Sequence, residues 1–315
     1  MARALVTGVA GFVGSHLAEA LLEQGLEVRG VDNFMPYYDR RVKERNLEGL
    51  LADTRFEFVE ADIVETEMTS LLDEITVVFH QAAQAGVRTS WSRSFADYDR
   101  SNILATQRLL DGVVDRPVSR FVYASSSSVY GNAPGFPCYE DQLPRPHSPY
   151  GLTKLAGELL CGMYASNWDV PTISLRYFTV YGPRQRPDMA FHRLFEAALS
   201  GNSFPLYGDG SAIRDFTYVG DVVRANLLAM TAEARPGGVV NISGGGSVSM
   251  AETIEQVSEL SGSPIELERH EMQRGDVKRT GGSNERARQL LEWSPRVPLR
   301  EGLIAQLAWH REMRS

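Results

Sequence analysis

The stretch Ala4-Leu5-Val6-Thr7-Gly8-Val9-Ala10-Gly11-Phe12-Val13-Gly14, with Leu17, Ala18, Leu21 and Leu22 behind it, decides the fold. A short apolar run stopped by glycine predicts a buried strand, and apolar residues three and four apart predict a helix after it. Gly25 closes that helix. In the loop between them, Gly8, Gly11 and Gly14 allow a sharp turn and a close approach of backbone to a ligand. The helix start, with Phe12 and Val13 in its first turn, adds free N–H groups and a favourable dipole, which suits a pyrophosphate. A second strand, residues 27–31, ends in Asp32-Asn33. A carboxylate there accepts hydrogen bonds from an adenosine ribose and repels a 2′-phosphate, so Asp32 favours NAD over NADP. The alternative for this pair is a strand-end turn.

Further β-like runs at residues 56–60, 77–80 and 120–124 are separated by segments long enough for helices. This alternation predicts an α/β protein with a doubly wound parallel sheet. Ligands of such sheets lie beyond the carboxyl ends of the strands. That places Asp62-Ile63, Ala82-Ala83-Gln84 and Ser125-Ser126-Ser127-Ser128 on one rim. Tyr150 and Lys154, one helical turn apart, then make a pair suited to moving a hydroxyl proton: a nearby ammonium can lower a phenol pKa from about 10. Taken alone, the pair is equally compatible with a solvated helix face.

The 315 residues are 43% hydrophobic and 23% charged, which describes a globular chain with room for two lobes. A net charge of -8 argues against nucleic acid, and the run Arg40, Arg41, Lys43, Arg45 reads as a solvated helix face. No apolar run reaches the roughly 18 residues of a membrane span. Cys138 and Cys161 have no spaced partners, which fits inert thiols in a reducing cytoplasm. The histidines show no ligand-like spacing, so no metal is expected, and His80 reads as a core residue. Trp91, Trp168, Trp293 and Trp309 read as core packing.

Nearly end to end, the chain resembles the extended short-chain dehydrogenase/reductase family of nucleotide-sugar epimerases, dehydratases and decarboxylases. The matching motifs are Thr7-Gly8-x-x-Gly11-x-x-Gly14, Ser125-Ser126-x-x-Val129-Tyr130-Gly131, Tyr150-x-x-x-Lys154, Leu175-Arg176-Tyr177-Phe178, Tyr181-Gly182-Pro183 and Gly208-Asp209-Gly210; Arg214-Asp215-Phe216 and Gly275-Asp276 extend the match. Two segments, residues 86–91 and 176–191, resemble those of UDP-glucuronic acid 4-epimerases. Thr179 stands where UDP-galactose 4-epimerases usually carry Asn, and Ser128 where decarboxylases and dehydratases usually carry Glu. Those two activities are the alternatives on the same scaffold.

The resemblance implies a Rossmann domain over residues 1–178, returning near 217–242, and a smaller C-terminal α/β substrate lobe over 179–315. It implies a bound NAD, a UDP-sugar substrate and a homodimer formed through helices near 102–114 and 150–164. Tyr150 is expected to act as the base, Ser126 to share the proton transfer and Lys154 to hold the nicotinamide ribose. Ser127, Ser128 and Thr179 are expected to hold a sugar carboxylate. Arg186 and Arg214 are expected at the diphosphate, Asp276 at the uridine ribose, Tyr207 near the uracil, and Arg88 facing the cleft.

Overall fold

The computed structural model describes residues 2–91, 95–273 and 275–314. Seven strands, β1 (Arg3–Thr7), β2 (Glu27–Asp32), β3 (Phe56–Glu60), β4 (Val77–His80), β5 (Arg120–Ser126), β6 (Thr172–Tyr177) and β7 (Gly238–Ile242), form one sheet in the order β7-β6-β5-β4-β1-β2-β3. Every pairing in it is parallel. The chain therefore winds outward from β1 in one direction and from β4 in the other, so the switch point lies between those strands. The sequence pattern predicts every strand except β6. Its Ser174 and Arg176 make it look half-solvated, yet both are buried, Arg176 because Glu158 neutralises it at 2.8 Å.

The two sheet faces are covered separately. Helix α1 (Phe12–Glu23) lies on one face, where Leu17, Leu21 and Val222 pack with Val6, Phe79 and Val122. On the other, Leu109, Leu110, Cys161 and Tyr164 pack with Leu5, Val78 and Phe121. Each fully buried aliphatic side chain of this kind contributes about 1.5–3 kcal/mol. The elements supplying these contacts are α2 (Arg40–Leu51) beside α1, α3 (Ala105–Val113) and α4 (Pro149–Trp168) on the opposite face, and α6 (Val219–Thr231) next to α1, whereas α5 (Ala190–Ser200) packs elsewhere. A third core, around Tyr181, Phe191, Phe195, Phe216, Val257 and Leu303, joins α5 to α7 (Met250–Ser261) and α8 (Leu299–Glu312).

The return near residue 217 has two parts. Thr217–Tyr218 pairs with Val180–Tyr181 outside the main sheet, and α6 then covers the sheet as a helix. Two of the tryptophans depart from the expected core packing. Trp293 is fully buried and donates to the Asp221 carbonyl (2.9 Å), whereas Trp91 and Trp168 are more than half exposed. Trp168, at the end of α4, leans on the Tyr164 ring at the surface.

Candidate active site

All the residues expected to bind cofactor or substrate line one cavity of about 990 Å³ at the carboxyl ends of the strands. At its cofactor end, Gly8 has φ +66°, and a Cβ there would sit 2.8 Å from the Ala82 backbone. Only glycine permits that approach of the first loop to the end of β4. Gly11 caps α1 without a side-chain hydrogen bond, so no side chain competes for the first amides of the helix. Asp32 accepts from the Ala10 and Phe34 amides at 3.2 and 2.8 Å, which locks its carboxylate at the end of β2. Asn33, Asp62, Ile63 and the Ala82-Ala83-Gln84 segment complete this wall, with Phe12, Val13 and Gly14 on the other side of the loop.

Lys43 corrects the reading of the basic run as a solvated face. It is buried, lines the cavity and stands 3.7 Å from Asp32, while its Nζ donates to the Met35 carbonyl at 3.2 Å. Arg40 of the same run does face solvent, paired with Glu44 and Glu60. The signal for Lys43 was periodicity: it shares the buried face of α2 with Asn46, Leu47 and Leu50.

The group expected to move the proton is built by α4. Ser148 caps the helix through the Gly151 amide (3.1 Å), and Pro149 occupies the first turn. A Cβ on Gly151 would lie 2.5 Å from the Ser128 carbonyl oxygen, so glycine lets the helix start press against the serine run. The Tyr150 phenol is a neighbour of the Ser126 hydroxyl. Burial lifts the phenol above the usual range, opposed first by the Arg186 cation and then by Ser126. The charge acting on Tyr150 is therefore Arg186, whereas helical spacing alone points to Lys154. The Lys154 ammonium donates to the Ala124 carbonyl (2.8 Å) and lies over the Tyr123 ring. Burial pushes it down to about 7, against the opposing influence of Cys161 and Glu158.

Behind the serine run stands a network that sequence reading missed. Glu158, one turn beyond Lys154, is bridged by Arg176 through two 2.8 Å bonds and accepts from the Ser125 hydroxyl. Arg176 also donates to the Tyr130 hydroxyl (2.7 Å), which donates to Asn241 (2.8 Å). The ends of β5, β6 and β7 are thus tied to α4, and Ser126 is held where Tyr150 can reach it.

The substrate half has two charged ends. Arg186 is bonded to Asp188 at 2.9 and 3.0 Å and lies beside Tyr150 and Tyr37. Arg214 lies at the other end, with Asp276 and Arg88 as its charged neighbours. Arg186 thus has Asp188 and Tyr150 for neighbours, and Arg214 has Asp276 and Arg88. Arg88 does face the cleft, but it bonds Asp276 at 3.2 and 2.8 Å and covers the Tyr207 ring at 4.1 Å. Ser127, Ser128 and Thr179 line the same cavity as Tyr150.

His80 is buried between the Thr7 and Thr106 hydroxyls (2.8 and 2.9 Å), the core role read from its strand. Both cysteines are buried and unpaired; burial pushes the Cys138 thiol up to about 11 and Cys161 further still. Among the described residues, no helix is long and apolar enough to cross a membrane.

Residues 4–243, which contain the glycine loop, the serine run and Tyr150–Lys154, match the family model described as the NAD dependent epimerase/dehydratase family. The chain belongs to the NAD-dependent epimerase/dehydratase family. Family members are isomerases and related enzymes that carry NAD, and the cavity fits that cofactor: the loop approaches the β4 end as only glycine can, and Asp32 is fixed at the end of β2. The chain is similar to a UDP-glucuronate 4-epimerase of Thermodesulfobacterium geofontis, 37% identical over 98% of this chain and 96% of that one. It is also similar to an uncharacterized UDP-glucose epimerase of Bacillus subtilis, 40% identical over 97% and 96% of the two chains. Among solved structures, UDP-glucuronic acid 4-epimerase from Bacillus cereus, crystallised with UDP-glucuronic acid and NAD, superimposes with a TM-score of 0.96 at 42% identity over 99% of both chains.

Proposed function

We propose that this chain is a UDP-glucuronic acid 4-epimerase, interconverting UDP-glucuronic and UDP-galacturonic acids through a transient 4-keto sugar without losing the carboxylate. The observation that carries this reading is the convergence of Arg186, Ser126 and Tyr150 at the end of the cavity walled by Ser127, Ser128 and Thr179. A neutral hexose needs no cation there; a hexuronic acid does.

NAD, when bound, accepts a hydride from carbon 4 and returns it. Tyr150, as phenolate, takes the carbon-4 hydroxyl proton, and Ser126 holds the same oxygen and shares the proton. Arg186 favours the phenolate against the burial that opposes it. Lys154 is anchored on Ala124 within reach of the ribose edge of the cavity. Inversion follows when the keto sugar presents its other face.

A ketone at carbon 4 turns the carbon-5 carboxylate into a β-keto acid, which loses carbon dioxide when the breaking bond aligns with the carbonyl π system. Donors that hold the carboxylate near the ring plane prevent that alignment. Ser127, Ser128 and Thr179 supply hydroxyl donors, and Arg186, whose Nε and Nη2 hold Asp188, offers its remaining N–H groups to a carboxylate. This moves Arg186 from diphosphate to hexose and leaves Arg214 as the diphosphate cation, with Asp276 for the uridine ribose and Tyr207 for the uracil. The division into a cofactor domain (1–178, returning near 217–242) and a substrate lobe (179–315) belongs to the same reading, supported by the separate core around Phe191 and Phe216. So does a homodimer: Leu152, Leu159 and Met163 leave an apolar stripe exposed on α4. A cytoplasmic site of action is supported by the two unpaired thiols.

The test is proton NMR of purified protein with UDP-glucuronic acid, run beside UDP-glucose. UDP-galacturonic acid should form. A UDP-pentose would defeat the carboxylate clamp, and faster turnover of UDP-glucose would favour the function named for the Bacillus subtilis relative.

A further inference from the structure

Two of the groups assigned to the nucleoside are already occupied by one side chain of the protein itself. Arg88 puts Nε and Nη2 on the two oxygens of Asp276, at 3.2 and 2.8 Å, and its guanidinium carbon lies 4.1 Å from the centre of the Tyr207 ring. Asp276 is the carboxylate proposed for the uridine ribose, and Tyr207 is the ring proposed for the uracil. A nucleoside and the Arg88 guanidinium therefore compete for the same two contacts. The fold enforces that encounter. Arg88 follows β4, and Gly275, at φ +88°, brings the turn that carries Asp276 against the same segment. A Cβ on Gly275 would lie 2.6 Å from Trp91 Nε1 and 3.5 Å from the Val87 side chain, so only glycine allows the approach. Tyr207 is held on its own side by stacking on His270, with ring centres 5.3 Å apart.

We propose that Arg88 is a diphosphate-binding residue stored on Asp276, released when the uridine ribose takes that carboxylate and handed to the phosphates beside Arg214. The proposal rests on the UDP-sugar reading given above. While the pair is closed, each charge neutralises the other. Once ribose hydroxyls donate to Asp276, the guanidinium has lost its counter-ion and needs another anion. The nucleotide brings one in the same event, because phosphate oxygens match the planar fork that the carboxylate held. Arg88 is already a charged neighbour of Arg214, so two cations then face two phosphates.

The magnitudes favour the exchange for a nucleotide and oppose it for a bare nucleoside. The Arg88 side chain is 43% exposed and that of Asp276 18%, and an ion pair so open to water is worth at most about fivefold in an equilibrium. A charge-assisted hydrogen bond to phosphate returns about tenfold or more. A nucleoside without phosphate only breaks the pair and recovers nothing from Arg88. The stored arginine thus makes the site select a diphosphate rather than the uridine that carries it.

NAD-loaded protein titrated with UDP and with uridine, followed by NMR, tests the exchange. In Arg88→Ala, which vacates both Asp276 and Tyr207, UDP should bind about tenfold or more weakly than to the wild type. Uridine should move the other way, holding its affinity or gaining up to about fivefold. Arg214→Gln should weaken UDP and leave uridine unchanged, since Arg214 occupies neither nucleoside contact. Parallel weakening of UDP and uridine in Arg88→Ala would make the side chain a strut between two segments and overturn the exchange. UDP binding to Arg88→Ala at wild-type affinity would overturn it as well, with the UDP-sugar reading left standing. Failure of the wild type to bind UDP would overturn that reading and the exchange together.

Discussion

Replacing Arg186 with glutamine separates two roles that the structure gives one side chain. Arg186 lines the cavity half-buried, holds Asp188 through two bonds and favours the Tyr150 phenolate. A charge-assisted hydrogen bond to a carboxylate is worth about 1.5–3 kcal/mol. At 1.36 kcal/mol per decade, Arg186→Gln should weaken binding of UDP-glucuronic acid by about 10- to 150-fold. UDP-glucose, which has no carboxylate, should bind almost as before. The phenol responds differently: with the cation gone, its pKa rises further, so the acid limb of the pH–rate profile moves to higher pH for any substrate. Calorimetric dissociation constants for the two nucleotides, measured on NAD-loaded protein, isolate the first effect, and pH–rate profiles isolate the second. Equal weakening of both nucleotides would refute the assignment of Arg186 to the carboxylate. An unmoved acid limb would refute its action on Tyr150.

Tyr150→Phe should nearly abolish turnover while NAD remains bound, checked by the cofactor absorbance released on denaturation; most of the activity surviving would remove Tyr150 as the base. Ser128→Glu places a negative charge at the wall assigned to the carboxylate, so UDP-glucuronic acid should bind more weakly and NMR should show UDP-pentose; clean epimerisation at wild-type affinity would refute the clamp. Glu158→Gln leaves Arg176 charged and buried without its counter-ion, a change that costs about 3–5 kcal/mol. Denaturant unfolding should show that loss, and a change below about 1 kcal/mol would mean that water or Tyr130 already satisfies the guanidinium.

The cofactor half was legible because it is local. Strand, glycine loop, helix and strand-end aspartate lie within the first 32 residues, and the backbone geometry they require is written in residue types. The serine run and the Tyr150–Lys154 pair were legible for the same reason. Lys43 escaped because its neighbours in sequence are charged, and only its position on the helix face reveals that it is buried. The strand β6 escaped because Arg176 is polar by type and buried only through Glu158, 18 residues away. The tryptophans misled because size alone does not say which side of a helix faces the core.

From residue order alone came the parallel sheet, the preference for NAD, and the pair of groups proposed to move the proton, since these depend on short-range spacing and on the chemistry of single side chains. Tertiary structure alone decided which charge acts on which group. It brought Arg186 near Tyr150 and closed Arg88 onto Asp276. Electrostatic interaction falls with distance in space and is insensitive to distance along the chain, so these pairings exist only once the chain has folded.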